Sequence, residues 1–221
     1  EKKRWEIMRA FKKYVAPQIV DEVSKGGEFQ ISLGGERREI AAMFVDIRGF
    51  TSLSENLEPE EVVEILNEYL NLTTHAIFKN GGTLDKFIGD ATMAVFNAPF
   101  DLDDYIYRAV CTARDIVAGA QDLEDRMEKR FHKKVNFGIG ISCGPAVVGN
   151  VGCDFRMDYT AIGDTVNTAS RLEGKAGARE ILISEQVYEA LKDRIRVTEK
   201  GMIPLKGKAK EICVYSVDEV L

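Results

Sequence analysis

Histidine and cysteine are scarce in this sequence: it has two histidines, His75 and His132, and four cysteines, Cys111, Cys143, Cys153 and Cys213. No two cysteines form a CxxC pair, which argues against a structural zinc site and leaves reduced thiols of a cytoplasmic protein as the simpler reading. No apolar run approaches the roughly 18 residues that cross a bilayer. The opening Glu1-Lys2-Lys3-Arg4-Trp5-Glu6 is not followed by the uninterrupted apolar segment of a secretory signal. An excess of positive charge is missing too. With 30 Lys and Arg against 36 Asp and Glu, the net charge of -6 argues against a general nucleic-acid binder. Internal repeats and low-complexity segments are absent. Glu173-Gly174-Lys175-Ala176 lacks the earlier glycine and the hydroxyl of a Walker loop. Phe137-Gly138-Ile139-Gly140 lies within an expected strand, its next glycine one place too late for a dinucleotide fingerprint. Asn71-Leu72-Thr73 matches a glycosylation acceptor but falls inside an expected helix and is set aside.

What is present suits one domain with a full core and a modest extension: 221 residues, 45% hydrophobic and 30% charged. Residues 1–35 are expected to form an amphipathic helix and linker, with the main domain over 36–221. Trp5, Met8, Phe11 and Val15 recur at helical spacing among basic residues. Such a stripe suits docking on the domain, coupling to an upstream module or a dimer contact, and amphipathicity alone does not choose. From Glu39 onward strands and helices alternate. The pattern predicts a strand over 39–45, then a helix from Pro59-Glu60-Glu61 that buries Val62, Val63, Ile65, Leu66, Tyr69, Leu70 and Ile77 and stops at Gly81-Gly82. Strands over 83–87 and 92–96 follow, joined tightly by Gly89-Asp90. A long helix over about 103–129, a strand over 135–142 and a hairpin of 147–151 with 157–162 come next. A helix capped near Asp164 and running to Lys175, a strand at 181–183, a helix after Ser184 and two closing strands complete an α+β sheet domain.

Two aspartates stand out. Asp46 closes the apolar run Ile40-Ala41-Ala42-Met43-Phe44-Val45, and Asp90 follows Lys86-Phe87-Ile88-Gly89. An ionised carboxylate at the end of a buried strand is costly unless a cation or hydrogen-bond donors compensate it. After Asp46, the segment Ile47-Arg48-Gly49-Phe50-Thr51-Ser52 has a glycine and two hydroxyls, so its backbone N–H groups suit a phosphate. Paired carboxylates beside such a nest suggest a magnesium nucleotide. A third segment, Tyr159-Thr160-Ala161-Ile162-Gly163-Asp164-Thr165-Val166-Asn167-Thr168-Ala169-Ser170-Arg171, places Asn167 and Arg171 four apart on one helical face. That face suits a ribose and a phosphate.

The runs Phe44 to Thr51, Lys86 to Asp90 and Gly163 to Arg171, in this order and spacing, resemble the class III nucleotidyl cyclase catalytic domain over about Glu36 to Val217. The resemblance implies a ferredoxin-like antiparallel sheet with helices packed on it, and homodimers paired head to tail with active sites at their interface. It implies that Asp46, Ile47 and Asp90 hold two magnesium ions, for which manganese can substitute, and that Gly49, Phe50 and Thr51 wrap the triphosphate. The partner copy would supply Asn167 for the ribose, Arg171 for the α-phosphoryl group and Lys206 for the terminal phosphates. Lys86 and Thr160 match the base-reading positions, and a lysine at the first points to ATP, since guanylyl members usually carry an acidic residue there. Thr160 departs from the Asp of many adenylyl members and matches relatives associated with bicarbonate stimulation. Asn136 stands where many relatives have a phosphate-holding Arg. The implied activity is conversion of ATP to 3′,5′-cyclic AMP and pyrophosphate in intracellular signalling, by a cytoplasmic domain with a sensory or membrane module upstream in the full-length protein. The rivals are a guanylyl cyclase and a silent nucleotide-binding regulator, although silent versions typically lose a metal Asp or the Asn/Arg pair. A diguanylate cyclase lacks support because its Gly-Gly-Asp/Glu-Glu-Phe signature is absent.

Overall fold

The computed structural model describes residues 20, 33–153, 155–204 and 211–221. The expected N-terminal helix and Lys206 lie outside the described residues. The apolar run at 40–45 is buried on both sides because its strand, β1 (Gly34–Arg48), runs through the interior of an eight-stranded sheet. Ala41, Met43, Val45 and Ile47 face one core, and Ile40, Ala42 and Phe44 face another. This period of two is the pleat of a doubly covered strand.

Along the chain follow α1 (Phe50–Ser54), α2 (Pro59–Lys79), β2 (Thr83–Ile88), β3 (Ala91–Phe96), α3 (Tyr105–Gly119), α4 (Gln121–Phe131) and β4 (Asn136–Cys153). Then come β5 (Arg156–Ile162), α5 (Asp164–Glu173), β6 (Ile181–Ser184), α6 (Glu185–Leu191), β7 (Ile195–Ile203) and β8 (Ile212–Val220). The strand order is β2-β3-β1-β4-β6-β8-β7, with β5 paired to β4. Every pairing is antiparallel except β4 with β6, whose parallel register needs the crossover that α5 provides. Helices α1 to α4 and α6 contribute to the core on one face of the sheet, whereas α5 and β5 cover the other.

Helix α2 starts on a capping box between Glu58 and Glu61 with Pro59 in its first turn, and ends at Asn80 before Gly81 in the left-handed region. It buries Ile65 and Ile77, each contributing about 1.5–3 kcal/mol of apolar burial, and Tyr69, whose hydroxyl donates to the Val135 carbonyl. Val63, expected on that buried side, is 56% exposed, because the helical period carries it past the edge of the stripe. The single helix expected over 103–129 is two helices. Ala120, with ψ of -9°, ends α3 and caps α4. On α4, the Glu124 carboxylate accepts a 2.8 Å hydrogen bond from Asn136 of β4. The separate strands expected at 135–142 and 147–151 are one continuous β4.

Candidate active site

Asp46 does not end its strand as expected, because β1 stays paired with β4 through Arg48, and Asp46 sits opposite Gly138. Its parity with Ala42 and Phe44 places it on the sheet face that α5 covers. The β1–β3 register pairs Val45 with Thr92, which brings the Gly89-Asp90 turn beside Asp46. The two carboxyl groups lie within hydrogen-bonding reach, and the Asp90 carboxyl is pushed up to about 6, first by burial and then by the hydrogen bond and charge of Asp46. A cation relieves such a like-charge pair.

One cation already present is Arg48. Its guanidinium donates to Asp46 Oδ2 at 2.6 Å and to the Ala176 carbonyl at 2.8 Å, and it also donates to the carbonyl and the carboxylate of Glu173. Burial pushes the Glu173 carboxyl up, and Arg48 pulls it back. Two glycines that had no role in the sequence make room for this network. A Cβ on Gly138 would meet Arg48 Nε at 2.6 Å, and one on Gly140 would meet the α5 backbone at 2.2 Å. The network therefore ties the carboxylate pair to the C-terminal end of α5.

Among the described residues no group of three or more His, Cys, Asp or Glu side chains forms a metal cluster. The donor set present, two neighbouring carboxylates, nevertheless fits magnesium, which typically binds one or two carboxylates and draws its other ligands from water and substrate phosphates. The Ile47 side chain is buried, so only its backbone can face such an ion. Gly49, at φ 84°, turns the chain from β1 into α1, and a Cβ there would meet the Lys134 carbonyl at 2.9 Å. Phe50 is buried and anchors this turn, leaving its backbone N–H, and that of Thr51, at the start of the short helix.

On α5, Asn167 is exposed and Arg171 half-buried, and neither side chain makes a hydrogen bond or ion pair to another described residue. Glu173, two residues beyond Arg171, accepts from Arg48, which also holds Asp46. At about 100° per residue, Arg171 lies about 200° around the helix from Glu173, while Asn167 and Arg171 lie about 40° apart. The amide and guanidinium thus turn away from the carboxylate pair of their own chain.

Lys86 and Thr160 meet through a third residue. Thr160 Oγ1 donates to Asp85 Oδ2 at 2.5 Å, and Lys86 Nζ lies 3.5 Å from Asp85 Oδ1 and 4.0 Å from Asp158 Oδ2. Asn136, paired with Arg48 across β1 and β4, is fully buried and donates its amide to Glu124. Sequence reasoning assigned no role to Arg48, Glu173 or Asp85. The adjacent charges Asp85-Lys86 within an otherwise apolar strand were the one signal for the last. A cavity of about 450 Å³ bordered by Cys143, Asp164 and Cys213 contains none of these site residues.

The family model described as the adenylate and guanylate cyclase catalytic domain matches residues 35–218. The chain belongs to this family, the class III nucleotidyl cyclases. It is 35% identical over 212 residues to adenylate cyclase 1 of Rhizobium meliloti, covering 94% of this chain and 31% of that protein. It spans less than half the length of this and a second curated relative, the adenylate cyclase of Anabaena cylindrica. Among solved structures, the adenylyl cyclase CyaB from P. aeruginosa superposes with a TM-score of 0.81 at 39% identity, over 86% of this chain and 98% of that one. The guanylyl cyclase Cya2 superposes with a TM-score of 0.78 at 35% identity, over 85% of this chain and 95% of that one.

Proposed function

We propose that this chain is an adenylyl cyclase catalytic domain that converts ATP to 3′,5′-cyclic AMP and pyrophosphate at sites shared by two copies. The observation that carries the reading is the division of labour on α5: Glu173 is tied through Arg48 to its own Asp46, while Asn167 and Arg171 turn away with no partner among the described residues. A second copy paired head to tail would bring those two groups to the other's carboxylates. Exposed apolar side chains at Phe87, Ile88, Val147, Val151, Phe155 and Ile162 lie on β2 and around the β4–β5 hairpin, the elements that carry Lys86 and Thr160. Such surface suits an interface.

Asp46, the Ile47 backbone and Asp90 would hold two magnesium ions, whose chemistry when bound is to make the ribose 3′-hydroxyl more acidic and offset the charge of departing pyrophosphate. The turn at Gly49, Phe50 and Thr51 offers backbone N–H groups to the triphosphate. Asn167 of the other copy orients the ribose so that its 3′-oxygen lies in line with the α-phosphorus. Arg171 offsets charge that builds on the α-phosphoryl oxygens, and Lys206 would add charge at the terminal phosphates. No side chain forms a covalent intermediate. Lys86 donates to adenine N1, and the Thr160 oxygen accepts from the 6-amino group.

Incubation of the purified chain with ATP and magnesium or manganese should yield cyclic AMP and pyrophosphate. A folded dimer that forms neither, or that cyclises GTP in preference, overturns the reading. Within it, Lys86→Glu with a compensating change at Thr160 should lower the ATP to GTP ratio of kcat/KM by about tenfold or more, the scale of one misplaced buried hydrogen-bonding group. An unchanged ratio removes Lys86 from base reading.

A further inference from the structure

Asp85 belongs to none of the motifs above, yet it sits between the two base-reading positions. The β2–β3 register shifts between Leu84 and Lys86, leaving Asp85 as the extra residue of a β-bulge. A bulge re-aims side chains locally, so neighbouring residues need not alternate across the sheet. Asp85 and Lys86 accordingly both reach toward β5, where Thr160 and Asp158 lie. The Asp85 side chain is 2% exposed. A buried carboxylate is costly unless donors face it. Three do: the Thr160 hydroxyl, the Lys86 ammonium and the Ala161 backbone N–H. Burial pushes the Asp85 carboxyl up, and these three donors pull it back toward the ionised form. Its Oδ1 has no hydrogen-bond partner closer than the 3.5 Å approach of Lys86. On the inner side, a cavity of about 10 Å³ is lined by Val95, Ala98 and Val148 together with Tyr159 and Thr83, whose hydroxyl donates to the Ala98 carbonyl.

A hydroxyl carries one proton and two lone pairs, so it can either donate or accept. Thr160 on its own would therefore serve the 6-oxo group of guanine as readily as the 6-amino group of adenine. Its proton, however, is committed to Asp85 at 2.5 Å, and only lone pairs remain to face a base. We infer that Asp85 is the positioning residue that sets purine selectivity here, fixing Thr160 as an acceptor while holding the Lys86 ammonium beside it as a donor. The inference rests on the adenylyl cyclase reading and explains how a threonine can serve where a carboxylate acceptor would otherwise be needed. Guanine would bring its O6 against the Thr160 lone pairs and its N1–H against the Lys86 ammonium, two mismatches in one pocket.

The test measures kcat/KM for ATP, GTP and purine riboside triphosphate, which has no 6-substituent, in the dimeric wild type, Asp85→Ala, Thr160→Val and the double variant. Asp85→Ala should lower the ATP to GTP ratio roughly 10- to 100-fold, the range for freeing or orphaning one buried hydrogen-bonding group. The ratio of ATP to the 6-unsubstituted analogue should fall with it, since the lost discrimination lies at the amino group. In the Thr160→Val background, Asp85→Ala should move these ratios far less. Asp85→Asn, whose amide can donate as well as accept, should give an intermediate ratio, and it carries the same test where the alanine variant is not recovered folded. A folded variant that loses activity equally on all three substrates, its ratios unchanged, has lost structural support only and overturns the inference. A wild type that makes no cyclic nucleotide or prefers GTP overturns the adenylyl reading itself, whereas an ATP-selective wild type with an unmoved Asp85 variant overturns only the role of Asp85.

Discussion

Asp46→Ala or Asp90→Ala is expected to reduce cyclic AMP formation by about a thousandfold or more in a protein that still folds and pairs, since several kcal/mol of charge stabilisation depend on the ions these carboxylates would hold. The two substitutions should differ in their effect on stability. Asp46 also accepts from Arg48 and from its neighbouring Ile47 N–H, so its loss removes a partner from the network that reaches Glu173 and Ala176. Asp90 is mainly a liability in the metal-free chain, held near a like charge and partly desolvated. Asp90→Asn should therefore melt at or above the wild-type temperature at neutral pH without metal, while losing turnover just as completely. Activity assays and thermal melts on the same samples check both statements. Turnover at the wild-type rate by either folded variant would remove the metal assignment, and a clear drop in melting temperature for Asp90→Asn would show that the turn needs the carboxylate.

That contrast also shows what sequence could and could not reveal. The carboxylates were legible because each interrupts an apolar run, and burial makes such interruptions costly. The strands and most helix limits were legible for a related reason, namely that pleat and helical period print themselves on the apolar pattern. Arg48 was visible as a residue but not as a tether, because its partners Glu173 and Ala176 lie 125 and 128 positions away. Gly138 and Gly140 read only as members of an expected strand, and what they admit, a guanidinium and a helix backbone, is set by tertiary packing. Asp85 was hidden by a bulge, which breaks the alternation on which strand reading relies. The helix break at Ala120 was hidden in the opposite way, by a periodicity that continues across it.

Mixing Asp46→Ala with Arg171→Ala protein is expected to restore activity that neither has alone. If each site takes its carboxylates from one copy and its α5 residues from the other, such a heterodimer has one site broken twice and one left intact. Random exchange of equal amounts makes half of the dimers mixed, so recovery should approach about a quarter of the wild-type rate. The pairing of Asp46→Ala with Asp90→Ala supplies the control. Both residues belong to the same half of a site, so every site in that heterodimer keeps one damaged carboxylate pair, and no activity should return. The α5 geometry predicts this asymmetry, because Glu173 pins one side of the helix to Arg48 and Asp46 of its own chain and so turns Arg171 outward. Recovery in both mixtures would mean that Asp46 and Asp90 of one site come from different copies, whereas recovery in neither, once heterodimers are shown to form, would mean that Arg171 serves the carboxylates of its own copy. The helix would then have to rotate by about half a turn against β4, which the close packing at Gly140 opposes.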